Sequence, residues 1–145
     1  MITAPAYQGK TIGVFGLART GQAAVQALVA SGATVWAWDD NPKSVEAVGA
    51  VAVDLYKADF KDLDALMVAP GVPLTFPKPH DLVVKAMAAE VPVIGDMDIF
   101  EAARESLDAH KVVAITGTNG KSTTSALIAH ILKNAGVPTA LGGNI

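Results

Sequence analysis

Cysteine is absent from the 145 residues, which excludes disulfides, thiolate metal sites and cysteine nucleophiles. Positive charge is the minority sign. Eleven Lys and Arg against fourteen Asp and Glu leave a net charge of −3, so there is no electrostatic footprint for nucleic acid. Long apolar runs are missing too. The longest uncharged, apolar-rich stretch, residues 65–77, is too short and too proline-rich to span a bilayer. The opening MITAPAYQGK lacks an apolar signal core. No membrane insertion is expected, and a cytoplasmic location follows. There is no fixed-period repeat and no low-complexity tract. What is present is 51% hydrophobic and 17% charged, the balance of an ordinary globular chain. The length suggests one domain, able to bury about two-thirds of its unfolded surface.

Short apolar runs alternate with helical patterns. Residues 11–15 read as a buried strand ending in Gly16, and 20–31 as a helix stopped by Gly32. A second strand at 34–38 closes on the turn Asp39-Asp40-Asn41-Pro42. A short helix near 44–48 and a weak strand at 50–53 come next. Residues 65–69 are a strand, the loop 70–79 holds four prolines, 80–89 read as a helix and 91–94 as a strand. Near-continuous apolar strands separated by helices predict an α/β fold: a Rossmann-like, doubly wound parallel sheet covered on both faces. Residues 95–111 turn polar and read as a helix leaving that sheet.

The most specific stretch is VVAITGTNGKSTT, residues 112–124. Its mostly β-branched start predicts a short buried strand, and Lys121-Ser122-Thr123 opens a helix running to about 135. Between them, Gly117 and Gly120 flank only Thr118 and Asn119, a tighter spacing than the usual phosphate loop. Glycines there let backbone N–H groups turn inward, and the helix N-terminus adds partial positive charge, which suits a polyphosphate. Lys121 would reach the β/γ-phosphates and the Ser122 hydroxyl would ligate Mg²⁺. The bland alternative is a strand-to-helix turn that binds nothing. The apolar stripe Leu127, Ile128, Ile131, Leu132 and Ala135 needs a partner surface, so residues 112–145 read as the incomplete start of a second domain within a longer protein. The competing arrangement has this unit completing the first sheet.

A second loop, Gly16-Leu17-Ala18-Arg19-Thr20-Gly21, stands where a dinucleotide fingerprint would. Ala18 occupies the place of the glycine that lets the backbone approach a pyrophosphate, which argues against an ordinary NAD mode. Asp39 follows the second strand, where a ribose-binding acid would stand; it serves equally as a turn residue. His80, after Pro79, reads as a helix start, His110 as exposed linker and His130 as a solvated helix position. Trp36 and Trp38 share one strand face. Asp59, Asp62 and Asp64 read as a solvated turn.

TGTNGKST resembles the phosphate loop of the Mur ligases, ATP-dependent amide-forming enzymes of peptidoglycan synthesis. GLARTG, the acidic turn, APGV at 69–72, VIGDMDIF at 93–100 and GGN at 142–144 appear in that family's order. The pattern is similar to the branch that adds the second amino acid. The resemblance implies a substrate-binding domain at 1–95, a connecting helix at 96–111 and the opening strand, loop and helix of a central ATPase domain at 112–145. It implies small-molecule partners, UDP-N-acetylmuramoyl-L-alanine and D-glutamate, with ATP and Mg²⁺ as cofactors, joined through an acyl phosphate. Arg19, Thr20 and Asp39 would face the uridine nucleotide, and Pro70 and Gly71 would shape the same cleft. Gly117, Thr118, Asn119, Gly120, Lys121, Ser122 and Thr123 would hold ATP, with Lys121 catalytic and Ser122 on the metal, and Asn144 would approach the muramoyl substrate. Two features depart from the family. Ala69 stands where Ser is common, and Asp40-Asn41 replaces a Thr-Arg type of turn that can cover uracil. Two other readings stand beside this one: a nicotinamide-dependent oxidoreductase domain, and a stand-alone, non-catalytic nucleotide-binding module.

Overall fold

The computed structural model describes residues 3–143. The chain divides into two compact units, Met1–Asp108 and Ala109–Ile145. In the first, four parallel strands, β1 (Thr11–Phe15), β2 (Thr34–Trp38), β3 (Ala65–Val68) and β4 (Val93–Ile94), lie in the order β2-β1-β3-β4. The helices of this unit are α1 (Arg19–Ala30), α2 (Pro42–Val48), α3 (Asp81–Ala88) and α4 (Asp96–Arg104). This is the doubly wound parallel α/β arrangement that the strand–helix alternation predicts.

The two-residue period of the strands sorts the core into two layers. Ile12, Val14, Val35, Ala37, Ala65 and Met67 point to one face, where Ala24, Val25 and Leu28 of α1 and Ile99 and Ala103 of α4 cover them. Phe15, Leu66 and Val68 point to the other, against Leu82, Val83 and Ala86 of α3 and against Leu55, Phe60 and Leu63. Trp36 and Trp38 pack on this second layer. Each fully buried Leu, Phe or Met contributes about 1.5–3 kcal/mol. α1 stops at Ser31, whose Oγ accepts from the Ala4 N–H at 2.8 Å, and Gly32 follows at φ +80°. His80 caps α3, as its place after Pro79 suggests, with Nδ1 accepting from the Leu82 N–H.

Three local expectations change. The weak strand at 50–53 reduces to a single bridge, Ala52 with Ala37, because a 3₁₀ turn at Gly49–Val51 takes its first half. α4 does not leave the sheet; Ile99 and Ala103 anchor it in the first unit's core. The strand expected at 112–115 is not formed. Those residues carry no regular structure, and Val112 and Val113 are exposed. A strand needs a neighbour to pair its N–H and C=O groups, and the described residues of the second unit hold no other strand. Its regular element is α5 (Lys121–Asn134), along which Leu127 and Ile131 are each 56% exposed. Ile128 and Leu132 of the apolar stripe are half-buried.

Candidate functional site

β1 lies between β2 and β3, so the chain leaves the sheet in opposite directions from adjacent strands. At such a switch point, ligands sit outside the carboxyl ends of the strands. Three loops meet at that edge: 16–18 after β1, 39–41 after β2 and 69–72 after β3. Backbone hydrogen bonds tie them together, from Gly16 N–H to the Trp38 carbonyl at 3.0 Å and from Ala69 N–H to the Phe15 carbonyl at 2.9 Å. Arg19, Thr20, Asp39, Pro70 and Gly71 are all carried on these loops and on the first turn of α1.

Asp39 builds the edge. Its Oδ2 accepts from the Leu17 N–H at 2.5 Å and its Oδ1 from the Asn41 N–H at 2.7 Å. Both carboxylate oxygens therefore clamp the β1 loop to the β2 turn, which fixes how that loop enters α1. Gly21 is the second constraint. A Cβ on it would stand 1.8 Å from the Gly16 carbonyl oxygen, so only glycine lets the first turn of α1 close over the loop. α1 opens at Ala18, whose methyl cannot cap the helix, with exposed Arg19 and half-buried Thr20 in its first turn. The end of a helix dipole beside a guanidinium favours an anion. Pro70 and Gly71 are exposed on the β3 loop, Gly71 at φ +100°.

Beside Asp39 an open groove of about 480 Å³ is lined by Trp38, Asp39, Asp40, Val45, Asp54 and Tyr56 among others. The Tyr56 hydroxyl donates to Asp40 Oδ1 at 2.9 Å. Burial first, and then this bond and the Asp40 charge, push its pKa up to about 12. Asn41 caps α2, its Oδ1 accepting from the Lys43 N–H at 3.1 Å. Behind the groove, Lys85 Nζ donates to the carbonyls of Leu55, Tyr56 and Ala58 at 2.9, 2.9 and 2.7 Å. Sequence reasoning passed over Tyr56 and Lys85. The available signal was the place of Lys85 among Leu82, Val83 and Ala86 on the buried face of α3.

In the second unit, Gly117 (φ +148°) and Gly120 (φ +77°) shape the loop, and Gly120 is the residue from which α5 starts. Residues 116–124 are exposed. Lys121 Nζ donates to the Gly117 carbonyl at 2.5 Å, so the ammonium lies folded over the loop. Positive-φ glycines, exposed N–H groups at a helix start and a lysine within reach fit a polyphosphate. Ser122 offers one exposed hydroxyl to a metal, and among the described residues no group of three or more His, Cys, Asp or Glu could hold one. Asn144 lies outside the described residues. Among those residues no helix is long and apolar enough to cross a membrane.

No family model matches the chain. It is similar to the UDP-N-acetylmuramoylalanine–D-glutamate ligase of Caulobacter sp. (strain K31), with 51% identity over 151 residues, covering 100% of this chain and 32% of that protein. The ligase of the same name from Sphingopyxis alaskensis is 51% identical over 148 residues, covering 100% of this chain and 33% of that protein. The chain thus spans about a third of the length of the curated relatives it matches. Among solved structures, shikimate dehydrogenase from Aquifex aeolicus superposes with a TM-score of 0.50 at 16% identity, over 67% of this chain and 46% of that one. At that identity the likeness is one of fold.

Proposed function

The chain belongs to the UDP-N-acetylmuramoylalanine–D-glutamate ligase family, and from that premise we propose that it anchors the UDP end of the ligase's substrate and opens the ATP-binding element. The observation that carries this is the clamped switch-point edge, where Asp39 fixes the β1 loop against an α1 start bearing Arg19 and Thr20. The diphosphate would lie on that helix end beside Arg19 and Thr20. Ribose and base would extend toward the turn at Asp39, over a floor shaped by Pro70 and Gly71. With α4 packed on the sheet, the UDP-binding body takes in residues 1–108, and 112–145 open the ATP-binding domain.

Gly117 to Thr123 would cradle ATP, whose γ-phosphate activates a carboxylate for amide formation. Lys121 would leave the Gly117 carbonyl for the β/γ-phosphates, Ser122 would give Mg²⁺ one oxygen, and Asn144 would approach the muramoyl substrate. Phosphoryl transfer depends on positioning and charge neutralisation by groups from several elements. This chain supplies one loop of them, so binding without ligation is expected, with D-glutamate read elsewhere in the full-length ligase. A cytoplasmic site of action suits both nucleotides.

Calorimetry with UDP-N-acetylmuramoyl-L-alanine, with NADH as the control ligand, tests the proposal. The UDP compound should bind, and Arg19→Ala should weaken it about tenfold, the loss of a charge-assisted contact. Binding of NADH alone would instead favour the oxidoreductase reading. Amide formation by the purified chain would overturn the expectation of binding without ligation.

A further inference from the structure

A nucleobase at this edge needs a planar surface, and the turn after β2 does not supply one. Asn41 is engaged in capping α2 through its Oδ1. We propose that Tyr56 is the surface on which the base of the UDP moiety stacks, with Lys85 as the positioning residue behind it. The proposal rests on the UDP-anchoring reading above and names the side chain that reads the base.

Three features of Tyr56 carry the inference. Tyr56 is 43% exposed and lines the groove together with Trp38, Asp39 and Asp40. Several contacts hold its orientation. The ring meets Phe15 at the end of β1 in a T-shaped contact, centroids 6.4 Å apart and planes at 80°, and lies 6.4 Å from the His80 ring; the hydroxyl is held by Asp40; the N–H donates to Asp54 Oδ1 at 3.0 Å. Its carbonyl is one of the three that Lys85 holds, while the Lys85 ammonium also lies 4.5 Å from the Phe60 ring centre. An exposed aromatic face that is already rigid loses little entropy when a base stacks on it.

Charge then sets the direction of the ligand. Asp39, Asp40 and Asp54 border the groove, and a diphosphate placed among carboxylates would be repelled. The uncharged base end fits there, which leaves the diphosphate to the α1 N-terminus. Phosphate and base are thereby separated along the sheet edge, each matched to its own surroundings.

The test compares UDP with 5,6-dihydro-UDP, which keeps ribose and diphosphate but has a puckered base without an aromatic face. In calorimetry on the full 145-residue chain, the dihydro compound should bind about tenfold more weakly, the order expected for one stacked base. Tyr56→Leu should weaken UDP to the level of the dihydro compound. Tyr56→Phe, which keeps the ring, should preserve the ratio, and Lys85→Met should lower it. A Tyr56→Leu protein that folds and still prefers UDP by the original ratio would overturn the proposal, as would a ratio near one in the unmutated chain. If Tyr56→Leu fails to fold, an intermolecular NOE between the uracil H5 and H6 protons and the Tyr56 ring of the unmutated protein decides, and its absence counts against stacking. Failure of the unmutated chain to bind UDP at all would remove the UDP reading itself, and this inference with it.

Discussion

The chain has two tyrosines, Tyr7 and Tyr56, and both hold their protons more firmly than a free phenol. For Tyr7 the first cause is burial and the second the Asp98 carboxylate. For Tyr56 burial comes first and the Asp40 hydrogen bond next, and the value reaches about 12. A phenol whose pKa is higher folded than unfolded stabilises the fold while it is neutral. That contribution is complete below the unfolded value of about 10 and is lost as pH rises through about 12. Alkaline titration of the folded chain should therefore show the tyrosinate band appearing late, and Tyr56→Phe should remove the uppermost step. A folded protein whose tyrosines are both half-ionised at pH 10 would contradict this account. Such pairings leave little trace in sequence, since Tyr56 and Asp40 are separated by 16 positions with no common pattern. Asp39 was visible as a turn or ribose residue; its clamp on Leu17, 22 residues away, was not.

Lys85 shows the same limit for a helix and the segment beneath it. Helical spacing places it beside buried Leu82 and Ala86, but only the fold brings three carbonyls of residues 55–58 under its ammonium. Lys85→Met keeps the stem over Phe60 and removes every donor. The expected cost is about 1 kcal/mol, the order of a net hydrogen bond at a partly solvated site, read as a lower urea midpoint together with faster amide exchange at 54–60. Equal exchange in the two proteins would mean the lysine holds nothing. The strands and helices themselves were legible where they pack locally: the short apolar runs at 11–15, 34–38 and 65–69 found their sheet, the third ending at Val68. The run at 112–115 has the same composition and forms no strand. Composition proposes a strand, but a neighbouring strand is needed to make one, and none lies among the described residues of its own unit.

Taken as a whole, the molecule is legible as two units because each has its own signature: an alternating α/β pattern in one, a glycine-bearing loop that opens a helix in the other. The position of their boundary was less legible. Polar composition suggested that the first body ends near residue 95, whereas Ile99 and Ala103 carry it through α4. Two further predictions of that boundary can be read together by limited proteolysis. Residues 108–114 are exposed and without helix or strand, the state in which backbone enters a protease, and Lys111 offers trypsin a side chain there. Cleavage after Lys111 should precede cleavage at Lys85, whose ammonium is held by three carbonyls, and at Arg104, which closes the last turn of α4 and pairs with Glu101 at 2.6 Å. The fragment retained should keep the switch-point edge intact and bind UDP with the affinity of the uncut chain. It should lose any response to ATP, because Gly117 to Thr123 leave with the other piece. A fragment that unfolds on cutting would show that the first unit depends on residues beyond its own core. A fragment that folds but no longer binds UDP would move the nucleotide site away from the Asp39 edge.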